Sequence, residues 1–271
     1  MQKINFITKE RVRVFHNDKY LLLSLAMFLD RFFNRDMVFK VLSYFDIRMD
    51  TRYIYKGKFP AVVPFKDFKG KIRDVILYMF DYETGEMVKR GDSNVLKQNE
   101  YKQNQYTKYY PYYGATIFSL GAEMTKGYNW VKTPTFFGLD KIGLPGNEHK
   151  TVHAVKSVFD VILMTIIYPH TLWIASGGSE GLGCSLTDPS ILTALSGRKV
   201  ILHPQFGAYY GARPLEEILL GHGIQADTDA FLEYTDYEGK KNRDTLGQYI
   251  LLQLQAGVSI DEIKVSLNIE S

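Results

Sequence analysis

A chain of 271 residues with 45% hydrophobic and 23% charged residues has apolar material for one large domain or two smaller ones, which excludes a disordered tail, a fibre and a stapled mini-protein. Its 33 Lys and Arg against 30 Asp and Glu leave a formal charge of +3, too small for overall basicity to point to nucleic acid. The single cysteine, Cys184, excludes an intramolecular disulfide and a multi-cysteine zinc site, so a reducing compartment and a cytoplasmic protein are expected.

The first residues hold no apolar stretch of signal-peptide length, and the most apolar run, 161–167, is far too short to span a bilayer. Neither export nor membrane embedding is expected. Between 18 and 46 apolar residues recur at helical spacing (Leu21, Leu22, Leu25, Phe28, Leu29, Phe32, then Val38, Val41, Leu42, Phe45), with a break at Asn34-Arg35-Asp36. The spacing predicts two consecutive helices, with Asn17 or Asp18 and Asp36 as N-caps. From 52 to 81 the pattern shifts to short β-rich runs at 52–55, 61–66 and 72–80, set off by Lys56-Gly57, 67–70 and Glu83-Thr84-Gly85 as turns. A small antiparallel sheet is predicted.

In 95–113 the tyrosines 101, 106, 109, 110, 112 and 113 alternate with Lys97, Lys102 and Lys108, and Glu100 is the one acid. Rings beside ammonium groups suit a single strand of DNA or RNA, because bases stack on the rings while lysines follow the phosphates. Lys97, Lys102, Tyr106, Lys108 and Tyr109 are therefore candidate contacts. The competing reading is a solvated loop whose tyrosines pack on the neighbouring domain.

After Gly143-Leu144-Pro145-Gly146-Asn147, a linker by composition, strands at 151–155, 171–175 and 199–202 alternate with helices at 158–168, 189–195 and 214–220, before a last helix at 245–255. The alternation predicts an α/β domain at 148–271, a parallel sheet flanked by helices, behind a smaller α+β domain at 1–143. Ligands of such sheets lie beyond the C-terminal strand ends. That singles out Lys156-Ser157, the glycine-rich run from Ser176-Gly177-Gly178 to Gly181, and His203-Pro204-Gln205-Phe206-Gly207.

Phe136-Phe137-Gly138-Leu139-Asp140-Lys141-Ile142, then Val152-His153-Ala154-Val155-Lys156-Ser157-Val158-Phe159-Asp160-Val161, then Ala175-Ser176-Gly177-Gly178 and 197–205 follow one another in an order that resembles the toprim domain. That domain is the metal-binding nucleotidyl-transfer and cleavage module of primases, topoisomerases and related nucleases. Ile72-Arg73, Tyr82-Glu83-Thr84-Gly85 and Asn129-Trp130-Val131 are similar, in order, to primase-like toprim proteins of bacterial mobile elements. The resemblance implies a toprim-like (Rossmann-like) sheet, nucleic acid as partner, and a replication or mobilisation protein as a further partner.

It also implies a glutamate at the end of the first strand and aspartates after the third, which hold Mg²⁺ against a phosphate. Here those positions read Lys156 and Gln205, with Gly207 two residues on. A hard cation needs anionic oxygens and is repelled by an ammonium, so no metal, no cofactor and no catalytic residue are expected. Lys156 instead reads as a fixed cation in the metal's place, with Ser157, Gly177, Gly178, Gln205 and Arg198 around a bound phosphate. The bland alternative is a strand-end lysine without a ligand.

The remaining motifs have plain readings. The glycine-rich run lacks the Lys-Ser/Thr of a phosphate loop and suits a tight turn, and Asp188-Pro189 suits a helix start. His149 and His153 are four apart, but 151–155 reads as a strand, so the two imidazoles should not share a helical face and no metal is expected there. Glu180, Asp188 and His203 would need to converge to form a rewired metal set. Cys184 reads as a small buried thiol, and Asp160 as a structural acid. Arg213, Lys240, Lys241 and Arg243 would widen a basic surface that Glu216, Glu217, Glu233, Asp236 and Glu238 dilute. Three readings stay open: a catalytically degenerate primase-like protein that binds nucleic acid, an interaction module on the same scaffold, and an enzyme with altered metal ligands.

Overall fold

The structure, a computed structural model, describes residues 3–12, 20–88, 95–99, 102–108, 117–119, 128–131, 133–177, 182 and 186–269. The chain divides into two units, residues 1–65 with 71–133 and residues 66–70 with 134–271. The first contains β1 (Lys3–Ile4), α1 (Lys9–Val12), α2 (Ser24–Leu29), α3 (Arg35–Tyr44), β2 (Arg48–Met49), β3 (Tyr53–Tyr55), β4 (Ala61–Lys66) and β5 (Ile72–Tyr78). It continues with β6 (Val95–Asn99), β7 (Lys102–Lys108), β8 (Ile117–Ser119) and β9 (Asn129–Trp130). The strands form a four-stranded sheet in the order β2-β4-β5-β8, a three-stranded sheet β3-β6-β7 and the pair β1-β9.

Two expectations for this unit are corrected. The cap of α3 is Asn34, not Asp36: the Asn34 side chain accepts from the N–H groups of Asp36 and Met37, at 3.0 and 3.4 Å, which places Asp36 in the first turn beside the positive end of the helix dipole. The Tyr- and Lys-rich stretch is not a plain loop, because β6 and β7 pair antiparallel, with Lys97 opposite Thr107 and Gln98 opposite Tyr106. Tyr106 and Thr107 of β7 are residue types that suit a pleated strand as well as a tyrosine suits a stacking surface. Asn17, Asp18 and residues 109–113 lie outside the described residues.

The second unit is built on β10 (Val152–Val155), β11 (Leu172–Ala175), β12 (Lys199–Leu202) and β13 (Gln225–Thr228), all parallel, in the order β11-β10-β12-β13. Between and around them run α4 (Leu139–Ile142), α5 (Val158–Ile167), α6 (Pro189–Leu195), α7 (Tyr209–Ala212), α8 (Pro214–Gly221), α9 (Phe231–Tyr234), α10 (Leu246–Gln255) and α11 (Ile260–Leu267). The mixed α/β class and the parallel sheet are as the alternation predicts. Side chains alternate across a strand. Val152, Ala154, Leu172, Ile174, Val200 and Leu202 accordingly form one face and share a core with α4, α6 and α8. On the other face lie α5, packed on β10 and β11, and α10, packed on α5.

Every residue of α5 is buried, which explains why its sequence is apolar on all sides, apart from Asp160 and Thr165, rather than amphipathic. The segment 143–147 is tied into this unit. Arg198 donates to the carbonyls of Asn147 and Ile142, the latter at 3.0 Å, and the Asn147 amide donates to the Lys141 carbonyl at 2.9 Å. In sequence, the main part of the second unit runs from residue 134. At the outer side of β11, Phe137 and Ala175 exchange both backbone hydrogen bonds, at 2.8 and 3.0 Å.

The motif Tyr82-Glu83-Thr84-Gly85 has a structural reason. Gly85 N–H donates to the Asp81 carbonyl at 2.8 Å and Asp81 N–H to the Glu86 carbonyl at 2.9 Å, which closes a tight turn. Gly85 sits at φ +75°, and a Cβ there would stand 2.3 Å from the ring of Phe28. Phe28 is fully buried, edge-on to Phe32, and has nowhere to retreat. Gly85→Ala is expected to destabilise the protein by about 2–4 kcal/mol, through left-handed strain added to overpacking, and urea unfolding of the two proteins measures it.

Candidate functional site

At the C-terminal end of β10 the chain turns from Val155 into α5 through Lys156 and Ser157. Ser157 caps α5, its hydroxyl accepting the Phe159 N–H at 3.1 Å. Gly177 N–H, just past β11, donates to the Lys156 carbonyl at 2.9 Å. Past β12, the Gln205 side chain reaches the same point, and Lys156 Nζ donates to Gln205 Oε1 at 2.8 Å. The structure thus brings Lys156, Ser157, Gly177 and Gln205 together at adjacent strand ends. Half-burial, with Arg243 close by, lowers the Lys156 pKa, and Asp160 opposes that.

Other singled-out residues lie elsewhere. Arg198 precedes β12, so that strand, roughly 13 Å long at strand rise, separates it from the segment that carries Gln205, and its guanidinium is committed to carbonyls. The backbones of Lys97, Lys102, Tyr106 and Lys108 belong to β6 and β7 of the first unit. Gly178, Tyr109, Glu180 and Cys184 lie outside the described residues. Asp188 caps α6, accepting the Ser190 N–H at 2.9 Å.

The donors present do not fit a magnesium ion. The strand ends offer an ammonium already bonded to the amide oxygen beside it, and a hard divalent cation needs carboxylate oxygens there. Among the described residues no group of three His, Cys, Asp or Glu is placed to hold a metal. The carboxyl of Asp160, which acts on the Lys156 charge, is engaged otherwise. It accepts from Thr245 Oγ1 at 2.8 Å and from Gly247 N–H at 3.2 Å, at the start of α10. A Cβ on residue 247 would sit 2.4 Å from Asp160 Oδ1, so this approach requires glycine. Burial pushes the Asp160 pKa up to about 7, against the hydrogen bonds of Thr245 and Gly247.

Sequence reasoning missed two groups. The first is a buried polar chain on the α5 side of the sheet. His153 Nδ1 lies 2.9 Å from His203 Nε2, and His203 Nδ1 lies 2.7 Å from Asp229 Oδ2. Trp173 stacks on His153 at 4.4 Å. With both rings neutral one arrangement satisfies the chain: His203 Nδ1–H donates to Asp229, and His153 Nδ1–H donates to His203 Nε2. The rings are 2% and 5% exposed, and burial, then His203, drive the His153 pKa down to about 3. Hydrogen bonds from His203 and the Phe231 N–H hold Asp229 below its ordinary value, although burial alone would raise it. The second group is a set of tyrosines on α7 and α9, beyond β12 and β13. Both α7 and α9 are four-residue helices, too short for a periodicity to register.

A family model described as "Domain of unknown function (DUF6371)" matches residues 24–206. The chain belongs to the DUF6371 family. The match contains Lys156, Gly177 and Gln205 and ends one residue after Gln205. No curated protein matches the sequence. Among solved structures, the DnaG primase catalytic domain bound to ssDNA is 13% identical over 83% of this chain and 70% of its own, with a TM-score of 0.40. The Aquifex aeolicus primase, its zinc-binding and RNA polymerase domains, is 14% identical over 95% of this chain and 62% of its own, with a TM-score of 0.43. The RNA polymerase domain of Mycobacterium tuberculosis primase DnaG in complex with double-stranded DNA is 11% identical over 84% and 68%, also at 0.43. No helix among the described residues of the DUF6371 chain is long and apolar enough to cross a membrane.

Two of the shifted groups of the DUF6371 chain, His153 and Asp160, oppose each other. His153, at about 3 against an ordinary 6.5, contributes stability that is fully present above pH 6.5 and lost as the pH falls from there. Asp160, at about 7 against an ordinary 3.8, contributes stability that is full below pH 3.8 and lost as the pH rises towards 7. Each unit of pH is worth about 1.4 kcal/mol per group, with opposite sign. Between about pH 4 and 6.5 the melting temperature of the native chain is therefore expected to be flatter than that of either variant. Asp160→Asn should gain stability with rising pH and His153→Asn should lose it, as calorimetry across that range reads.

Proposed function

We propose that this protein binds the phosphates of a nucleic acid at the C-terminal ends of β10 and β12, and carries out no transfer or cleavage there. The observation that carries the reading is the Lys156–Gln205 contact, 2.8 Å long, at the position where a parallel α/β sheet presents its ligand. A half-buried ammonium is held in place before any ligand arrives, so little ordering entropy remains to be lost on binding an anion. The exposed guanidinium of Arg243, near enough to depress the lysine's pKa, adds a second cation. The first turn of α5, a ten-residue helix, turns its positive dipole end to the same place. The motif order that resembles toprim proteins supports a nucleic acid as the source of the phosphate, and an element-borne replication or mobilisation system as the setting. The missing carboxylates support binding without chemistry.

Fluorescence anisotropy with labelled single strands of about 20 nucleotides, DNA and RNA, tests it. Binding is expected at about 50 mM salt and is expected to weaken steeply towards about 200 mM, because each phosphate contact releases counterions. Lys156→Glu should lower affinity tenfold or more, whereas Lys150→Glu, the same charge change at the other end of β10, should leave it within about twofold. Equal affinities for Lys156→Glu and the unaltered protein remove the reading.

A further inference from the structure

Tyr210 and Tyr234 are 69% and 67% exposed, yet they are not loose. Their hydroxyls hydrogen-bond each other at 2.9 Å across 24 residues of sequence. Tyr209 stands edge-on to both rings, at 5.2 and 5.9 Å. The Arg213 guanidinium lies 5.9 Å from the Tyr209 ring. Two large aromatic faces are thus fixed in water, held by their mutual bond and by the ring of Tyr209 against both. Tyrosine loses little conformational freedom on contact and offers an apolar face with a polar tip, which is why it recurs on binding surfaces.

Their place in the fold connects them to the strand ends. Ala208 N–H donates to the Gln205 carbonyl at 3.0 Å, and this turn carries the chain from Gln205 directly into Tyr209 and Tyr210. Tyr234 closes α9, which begins two residues after Asp229 past the neighbouring strand. Glu233, the acid closest in sequence, is engaged by the Gly207 N–H at 3.0 Å, and Glu216 stands 3.8 Å from Arg213. In the hydroxyl pair one O–H donates to the other oxygen, which leaves one donor for an outside acceptor.

We infer that Tyr210 and Tyr234 form a stacking platform for unpaired bases of the strand whose phosphates Lys156 and Gln205 hold, so that the ligand is single-stranded rather than duplex. This rests on the proposed phosphate site and adds a second set of contacts to it. A flat ring with no required hydrogen-bond pattern selects any base, so recognition is tolerant of sequence.

The test uses the full chain and two probes of equal length and charge, an oligothymidylate and an oligomer of abasic sites. The unaltered protein is expected to prefer the oligothymidylate about tenfold, and Tyr210→Ala with Tyr234→Ala is expected to bind both probes equally, at the abasic level. Because both side chains are exposed, melting of the double variant should match the parent. Tyr210→Phe with Tyr234→Phe keeps the rings and should keep most of the preference. Lys156→Glu should weaken both probes alike and leave their ratio intact. If the double alanine variant retains the preference, or the unaltered protein shows none while Lys156→Glu still weakens binding, the platform is overturned and the phosphate site stands. Should neither probe bind, both ideas fall.

Discussion

A buried carboxyl group holds the strand ends of the second unit in register with the helices behind them. Asp160 sits in the first turn of α5 and takes hydrogen bonds from Thr245 and Gly247 at the start of α10. The residues just before Thr245 are thereby fixed, and they in turn clasp the segment after β12. Phe206 N–H donates to the Asp244 carbonyl at 2.8 Å, and Arg243 N–H to the Phe206 carbonyl at 3.1 Å. Gln205 precedes that clasp by one residue, and Lys156 lies four residues before the carboxyl. The cationic point of the proposed site therefore depends on a group that is itself out of reach of solvent.

Charge at that point decides what it can hold. Where two or three carboxylates would attract a divalent ion, an ammonium bonds to the amide oxygen with one of its three donors and keeps two for a ligand. Donors and positive charge suit phosphate oxygens. The buried histidine chain does something different: it threads a line of hydrogen bonds along the sheet, each member satisfied by the next, which avoids the cost of an unpaired buried polar group.

Much of the second unit was legible in the sequence, because its elements obey local rules. The largely apolar 158–167, the Asp188-Pro189 start of α6 and the strand at 199–202 carry their own signals, and the structure has them in place. β13 escaped notice because Gln225, Ala226, Asp227 and Thr228 are polar or small, as an outermost strand permits. α11 was missed although Ser259 and Glu262 form a capping box that can be read from the letters alone. The meeting of His153, His203 and Asp229 was not legible at all, since it depends on β10 lying beside β12, with His153 opposite Ile201, and not on any spacing. The same holds for Tyr210 and Tyr234, which tertiary structure alone makes neighbours.

The two margins of the parallel sheet are unlike. Beyond β11, Phe137 already uses the backbone groups of Ala175, whereas β13 is outermost in the strand order and carries Asp227, 3.4 Å from Lys199. Growth of this sheet by another strand, whether from a second molecule or an inserted segment, is thus directed to one side. Asp227 stands on that outermost strand, and a newcomer must accommodate its charge, which disfavours the indiscriminate strand addition that leads to aggregates.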